Sequence, residues 1–204
     1  MSDIPMQNPL QTLQQHIAFI IEVDKLKTVL RKTKAAHVDR YENSAEHSWQ
    51  IALFALNLRD FAAEPVDIDK VVRMLLIHDL GEIDTGDTLV YAADGAAERE
   101  AEELAAMRRI LGLLPQPMAA ELLALWQEFE TRQSAEARFA RAIDRLMPIL
   151  LNLQSGGQSW RENGVGKQQV LSMAVGKVED GCPLAADWLR VELDRAERDG
   201  YFGA

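Results

Sequence analysis

From Leu75 to Asp87 the chain reads LLIHDLGEIDTGD. An apolar stretch ends in the doublet His78-Asp79, and Glu82, Asp84 and Asp87 follow closely. Burial accounts for Met74 to Ile77 but for none of these five polar residues. Carboxylates this dense beside an imidazole suit a divalent cation with acid–base groups next to it. Neighbouring residues of an α-helix point about 100° apart, so His78 and Asp79 can lean on one ion only near a helix end. The break in the apolar pattern at Leu80 puts an end there.

Two ligands do not complete a shell. His47 precedes Ile51, Phe54, Ala55 and Leu58 at helical spacing, so it points to the apolar side of its helix. Asp144 lies between Phe139 and Met147, near the inner face of another helix, where a cation would compensate a buried carboxylate. Pro148, four residues on, cannot donate to the Asp144 carbonyl. Taken singly, each residue has a bland reading. His47 can be a hydrogen-bonded core residue, Asp144 a solvated one, and Glu82, Asp84 and Asp87 caps or turn formers. Together, His47, His78, Asp79 and Asp144 form the expected shell of one divalent ion: manganese, cobalt, iron, zinc or magnesium. Four ligands leave about two octahedral positions, for a phosphate oxygen and a water. Glu82 and Asp87 are then the candidate catalysts, one for the water proton and one for the leaving oxygen, with their roles open.

The elements that must position these groups are helical almost throughout. Leu10, Leu13, Ile17, Ile20 and Ile21 make a first apolar stripe, continued by Leu26, Val29 and Leu30. Lys32 to Tyr41 reads as a connection. Asn43 with Glu46 reads as a capping box opening a helix to about Phe61. Asp67 caps the next, with Val71, Val72, Leu75 and Leu76 as its buried face. Leu80 to Gly95 reads as a loop. Helices follow over Ala96 to Leu111, Pro117 to Phe129, Ser134 to Leu153, Val165 to Val178 and Pro183 to Arg198. Trp126, Trp160 and Trp188 read as packing, and Glu98 to Glu103 as a solvated face. The expected fold is all-α: a single compact bundle of about seven to eight helices over residues 1–204, with a core from about 10 to 155 and the C-terminal helices (165–200) packed on it.

The order His47, His78-Asp79, Asp144 resembles the H…HD…D pattern of the HD-domain metal-dependent phosphohydrolases. Asn43 to Trp49, His78 to Asp87, Leu125 to Glu130 and Ser134 to Asp144 resemble the small 5′-deoxynucleotidase branch of that superfamily, over roughly residues 10 to 155. The resemblance implies a homodimer that hydrolyses deoxynucleoside 5′-monophosphates. It assigns the metal to His47, His78, Asp79 and Asp144, and catalysis to Glu82 and Asp87. It lays the segment from Asp87 and Thr88 to Val90 against substrate. Bacterial members use an Arg-Trp pair before the first metal histidine; here that place reads Arg31-Lys32-Thr33, so Arg31 and Lys32 are the candidates for the phosphate. Asp84 has no counterpart and reads as a loop or outer acid.

The remaining composition narrows the alternatives. A net charge of −10 disfavours binding a nucleic-acid polymer. No run of 18 apolar residues predicts a membrane span. The single Cys182 excludes an internal disulfide, and with no signal peptide pattern at Met1 to Pro5 the expected compartment is the cytoplasm. No histidine follows His78, which argues against a dinuclear cyclic-dinucleotide site. Three readings stand: a phosphomonoesterase on small nucleotides, a phosphodiesterase or pyrophosphohydrolase, and a helical module that keeps a metal without catalysis.

Overall fold

The computed structural model describes residues 8–87 and 96–203; Thr88, named above as a substrate contact, lies outside them. Helix α1 (Pro9–Val23) is opened by Asn8, whose side chain accepts from the Leu10 amide. No α1 residue is buried, and Leu10, Leu13, Ile17, Ile20 and Ile21 are all more than half exposed. The first stripe therefore faces outward, and Phe19 and Val23 pack α1 against the core. Periodicity defined an apolar face but not what would cover it.

Leu26, Val29 and Leu30 do not prolong α1. A 3-10 turn (Asp24–Thr28) buries Leu26 and leads into a two-stranded antiparallel ribbon, β1 (Leu30–Lys34) and β2 (Tyr41–Asn43). The region expected to be a plain connection thus contains strands. Arg31, Lys32, Thr33 and Lys34 carry no alternating apolar signal, because this ribbon points charge into a cleft.

Helix α2 (Ser44–Leu58) begins with the expected capping box: the Glu46 amide donates to Asn43 Oδ1, and the Asn43 amide to Glu46 Oε2. Helix α3 (Ile68–Ile77) is capped by Asp67. Val71, Met74, Leu75 and Ile77 are its buried residues, whereas Leu76 is 48% exposed and lies off that face. The segment expected to be loop holds a one-turn helix, α4 (Glu82–Thr85). Next come α5 (Ala96–Leu111), α6 (Gln116–Thr131), α7 (Ala135–Gln154, capped by Ser134) and α8 (Gln158–Glu162). Helix α9 (Lys167–Val170) passes through a π-helical turn, Leu171–Val175, directly into α10 (Gly176–Gly181), and α11 (Pro183–Arg198) follows. Among the described residues, seven of these helices run ten residues or more.

Helix α7 is the shared wall. One side, with Phe139 and Ile143, packs with Ile51 of α2, Met74 and Leu75 of α3 and Phe129 of α6. The other, with Leu146 and Ile149, packs with Trp160, Val170, Val178, Leu189 and Leu193 of the C-terminal helices. Each such side chain contributes about 1.5–3 kcal/mol on burial, so α7 is held from both faces and cannot shift without breaking one cluster. Helix α10 lies against it through Gly181, where a Cβ would overlap the Arg138 carbonyl oxygen and sit 2.8 Å from the Ala142 Cβ. Trp126 and Trp160 are buried as expected, but Trp188 is 47% exposed. No helix among the described residues is long and apolar enough to cross a membrane.

Candidate metal centre

His47 sits in the first turn of α2, His78 and Asp79 immediately after α3, and Asp144 in the middle of α7. His47 is fully buried, and His78 and Asp144 are nearly so. His78 Nδ1 donates to the Leu75 carbonyl at 2.9 Å. A carbonyl can only accept, so this bond fixes the tautomer and leaves Nε2 with its lone pair free. That Nε2 faces Asp79 Oδ1 at 3.0 Å and Asp144 Oδ1 at 3.6 Å, yet outside hydrogen-bonding geometry. His47 Nε2 lies 3.1 Å from the same Asp144 oxygen. The edges of an octahedron with bonds of about 2.1 Å are about 3.0 Å long, so these separations fit a set of donors around one divalent ion. The orphaned, buried Nε2 of His78 is the observation that favours an ion over a closed hydrogen-bond network.

The electrostatics agree. Burial disfavours an imidazolium at His78, but Asp79 and Asp144 outweigh it and push its pKa up to about 10. Burial and the charge of Arg31 pull His47 down to about 4. Burial alone would raise Asp79 and Asp144; the facing cations, His78 and Arg31 for Asp79 and Arg145 for Asp144, hold both well below the usual carboxylate range. The pocket thus demands positive charge at the point where the donors meet. A proton on His78 and a metal on His78 answer the same demand, and they exclude one another.

Glu82 opens α4 at the rim of this cluster. Ser44 Oγ donates to its Oε2 at 2.6 Å. Burial, reinforced by the charge of Asp79, raises its pKa to about 8. Asp87 lines the same cleft, its pKa also raised by burial and then by Asp79 against the pull of Arg31. Glu82 is thus a carboxyl able to exchange a proton near neutral pH, and Asp87 is shifted in the same direction. Arg31 reaches in from β1, with Nη1 at 2.9 Å from Asp79 Oδ2 and 3.7 Å from Asp87 Oδ1. Lys32 stands exposed at the mouth. Asp84 is not part of the cluster: it forms a two-pronged pair with Arg109, both bonds 2.6 Å, and Arg109 also holds Glu22 of α1. The outer-acid expectation for Asp84 is corrected to a brace for α4.

Several groups escaped the sequence reading. Glu42 of β2 is 1% exposed, with Oε2 at 3.7 Å from His47 Nδ1 and 3.5 Å from Arg31 Nε. It stands behind the imidazole, as outer carboxylates stand behind metal histidines. Trp126 Nε1 donates to the His78 carbonyl at 3.1 Å, and the Phe129 ring meets His78 edge-on. Glu103, expected on a solvated face, lines the cleft, with Glu130, Arg141 and Arg145. Only Glu42, one position before the cap Asn43, and the arginines flanking Asp144 carried a signal, namely their adjacency to marked residues.

Replacing Glu42 with Gln should weaken divalent-metal binding about 10–100-fold, as loss of an outer carboxylate does; a competition titration with a fluorescent chelator reads it. The metal-free protein adds a pH signature. Burial raises Glu42 from 4.5 to about 7, with Arg31 opposing. A raised carboxyl stabilises the fold fully below pH 4.5, and that contribution is lost as pH rises through about 7. The Gln variant should therefore gain in relative melting temperature from pH 4.5 to 7 and hold level above. A flat difference across that range would contradict a buried Glu42.

The HD domain family matches residues 23–185, and the chain belongs to that family. The crystal structure of a "Predicted metal-dependent phosphohydrolase" from Magnetospirillum magnetotacticum MS-1 is similar, at 43% identity and a TM-score of 0.89, covering 95% of this chain and 100% of the other. The human 5′-deoxynucleotidase HDDC2 is 33% identical over 135 residues, which is 66% of this chain and 65% of the human protein. The same-named protein of Bos taurus is 33% identical over 156 residues, 75% of this chain and 72% of its own.

Proposed function

We propose that this protein is a divalent-metal-dependent phosphomonoesterase that hydrolyses deoxynucleoside 5′-monophosphates to nucleoside and phosphate. The supporting observation is the meeting of buried histidine and carboxylate donors, one with an orphaned lone pair, beside two carboxyls with raised pKa values. His47, His78, Asp79 and Asp144 would hold one ion. Bound there, it supplies Lewis acidity to a phosphoryl oxygen and to the attacking water. Glu82, kept in place by Ser44 Oγ, takes a proton from the water as the new oxygen–phosphorus bond forms. Asp87, which lines the same cleft, gives a proton to the 5′-oxygen as the phosphorus–oxygen bond breaks. Arg31 neutralises the acids and keeps Asp79 ionised. The names of the human and bovine relatives support the nucleotide class of substrate.

We further read the protein as a cytoplasmic homodimer: its one cysteine, Cys182, is buried and unpaired, and the outward stripe of α1 offers a second copy an apolar face. Light scattering on wild type and an Ile17→Glu/Ile20→Glu variant separates dimer from monomer. The activity test is a panel of nucleoside 5′- and 3′-monophosphates, diphosphates and triphosphates with manganese, cobalt and magnesium. Phosphate release from deoxynucleoside 5′-monophosphates is expected. Silence toward every monophosphate would end this reading.

A further inference from the structure

Arg141 and Arg145 stand one helical turn apart on α7, on either side of Asp144, and both line the cleft that holds His78 and Asp79. Their side chains are only 15% and 13% exposed. Neither guanidinium hydrogen-bonds another described residue. The nearest carboxylate oxygens are Glu130 Oε1, 3.6 Å from Arg141 Nη1, and Asp144 Oδ2, 3.8 Å from Arg141 Nη1 and 3.6 Å from Arg145 Nε. Both Nε atoms are buried without a partner.

A guanidinium offers five donors in a fixed fork, and burying them unpaired is costly. If these arginines served only to neutralise Asp144, one fork would close on both its oxygens, as Arg109 closes on Asp84. Here two cations share one outer oxygen at long range instead. The crowding of positive charge on this wall is felt nearby: burial, then Arg145 and Arg141, press Lys177 of α10 down to about 8. Asp79, Glu82 and Asp87 line the same cleft, but there Arg31 already bonds Asp79 at 2.9 Å, so among the described lining arginines Arg141 and Arg145 are the two whose forks no carboxylate closes. Planar forks pair with the oxygen edges of a phosphoryl group through two parallel bonds.

We infer that Arg141 and Arg145 form an anion clamp that receives the non-bridging oxygens of a substrate's terminal phosphate, and of the inorganic phosphate released. The inference rests on the phosphomonoesterase reading and sharpens it. A monoester dianion offers three free oxygens, enough to meet both forks and the metal. A diester offers two and one charge fewer, so the clamp selects monoesters.

The test is calorimetric titration of inorganic phosphate into the manganese-loaded protein, with manganese affinity measured separately. Arg141→Gln and Arg145→Gln should each weaken phosphate binding about tenfold or more, with manganese affinity unchanged, and Arg145→Lys should recover part of the loss. Undiminished phosphate affinity in both Gln variants would overturn the clamp. So would a parallel loss of manganese, which would make the arginines positioning groups for Asp144. A second measurement needs no variant: inorganic phosphate should shield Arg141 and Arg145 from phenylglyoxal in the wild-type protein, read by peptide mass spectrometry, and equal labelling with and without phosphate refutes it. If wild type binds phosphate through these arginines yet cleaves no monophosphate, the proposed function falls and the clamp stands. If it cleaves monophosphates while both Gln variants keep their phosphate affinity, the reverse holds.

Discussion

Replacing Glu82 with Ala should lower kcat on a deoxynucleoside 5′-monophosphate by about 10²–10⁴-fold, the usual weight of one positioned acid–base group. Metal binding should survive. Glu82 takes a hydrogen bond from Ser44 and lies at the rim, whereas the donors that converge are His47, His78 and Asp144, with Asp79 Oδ1 3.0 Å from His78 Nε2. Glu82→Gln keeps the size and the Ser44 contact but cannot carry the proton, so it should be nearly as slow. KM should move little, since the lost interaction belongs to the transition state. Full activity in the Gln variant would remove Glu82 from proton transfer. Loss of metal along with activity would make it part of the shell instead. Steady-state kinetics paired with metal quantification on the same samples decides between them.

A large effect on stability is expected at Gly181. A side chain there has nowhere to go, because the Arg138 carbonyl group and the Ala142 methyl already occupy the space. Gly181→Ala should cost roughly 3 kcal/mol, at the upper end of overpacking penalties, or about 6–12 °C in Tm for a chain of this size. Gly176, in the same helix, has nothing within 4 Å of an added Cβ. Gly176→Ala should leave stability unchanged or raise it slightly, by removing backbone freedom from the unfolded chain. Similar losses at both positions would mean that helix propensity, not the contact between α7 and α10, sets the result. Since α7 carries Asp144, Gly181→Ala should also weaken metal binding, while Gly176→Ala should not.

The residues that chemistry marks most strongly were legible in the chain. His78 and Asp79 end an apolar run, and His47 and Asp144 sit at helical spacing on apolar faces where a polar group needs a reason. The caps Asn43 and Asp67 were legible too, because a cap is a local hydrogen bond with a local sequence signature. What failed was whatever depends on the partner surface. The α1 stripe is apolar and periodic, yet all five of its residues stay more than half exposed. Glu103 read as part of a solvated helix face, and only tertiary packing brings it into a cleft with Arg141 and Arg145. Glu42 was hidden in a ribbon whose pairing leaves no alternating pattern. Asp84 was set apart from the catalysts as a loop or outer acid, but its partner, Arg109, lies 25 residues away in sequence and was not legible.

The π-helical turn at Leu171–Val175 has a consequence for how this chain can vary in length. It lodges one more residue in a helical turn than the regular spiral holds, and the helix before and after it presents Val170, Val178 and Gly181 to the interior. Deleting a single residue there would give a more regular spiral. It would also rotate everything downstream by about 100°, turning Gly181 away from α7 and setting a bulkier neighbour against the Arg138 carbonyl. Local regularity and global phase are opposed at this point, and the fold keeps the phase. Insertions and deletions should therefore be refused inside the α9–α10 helix.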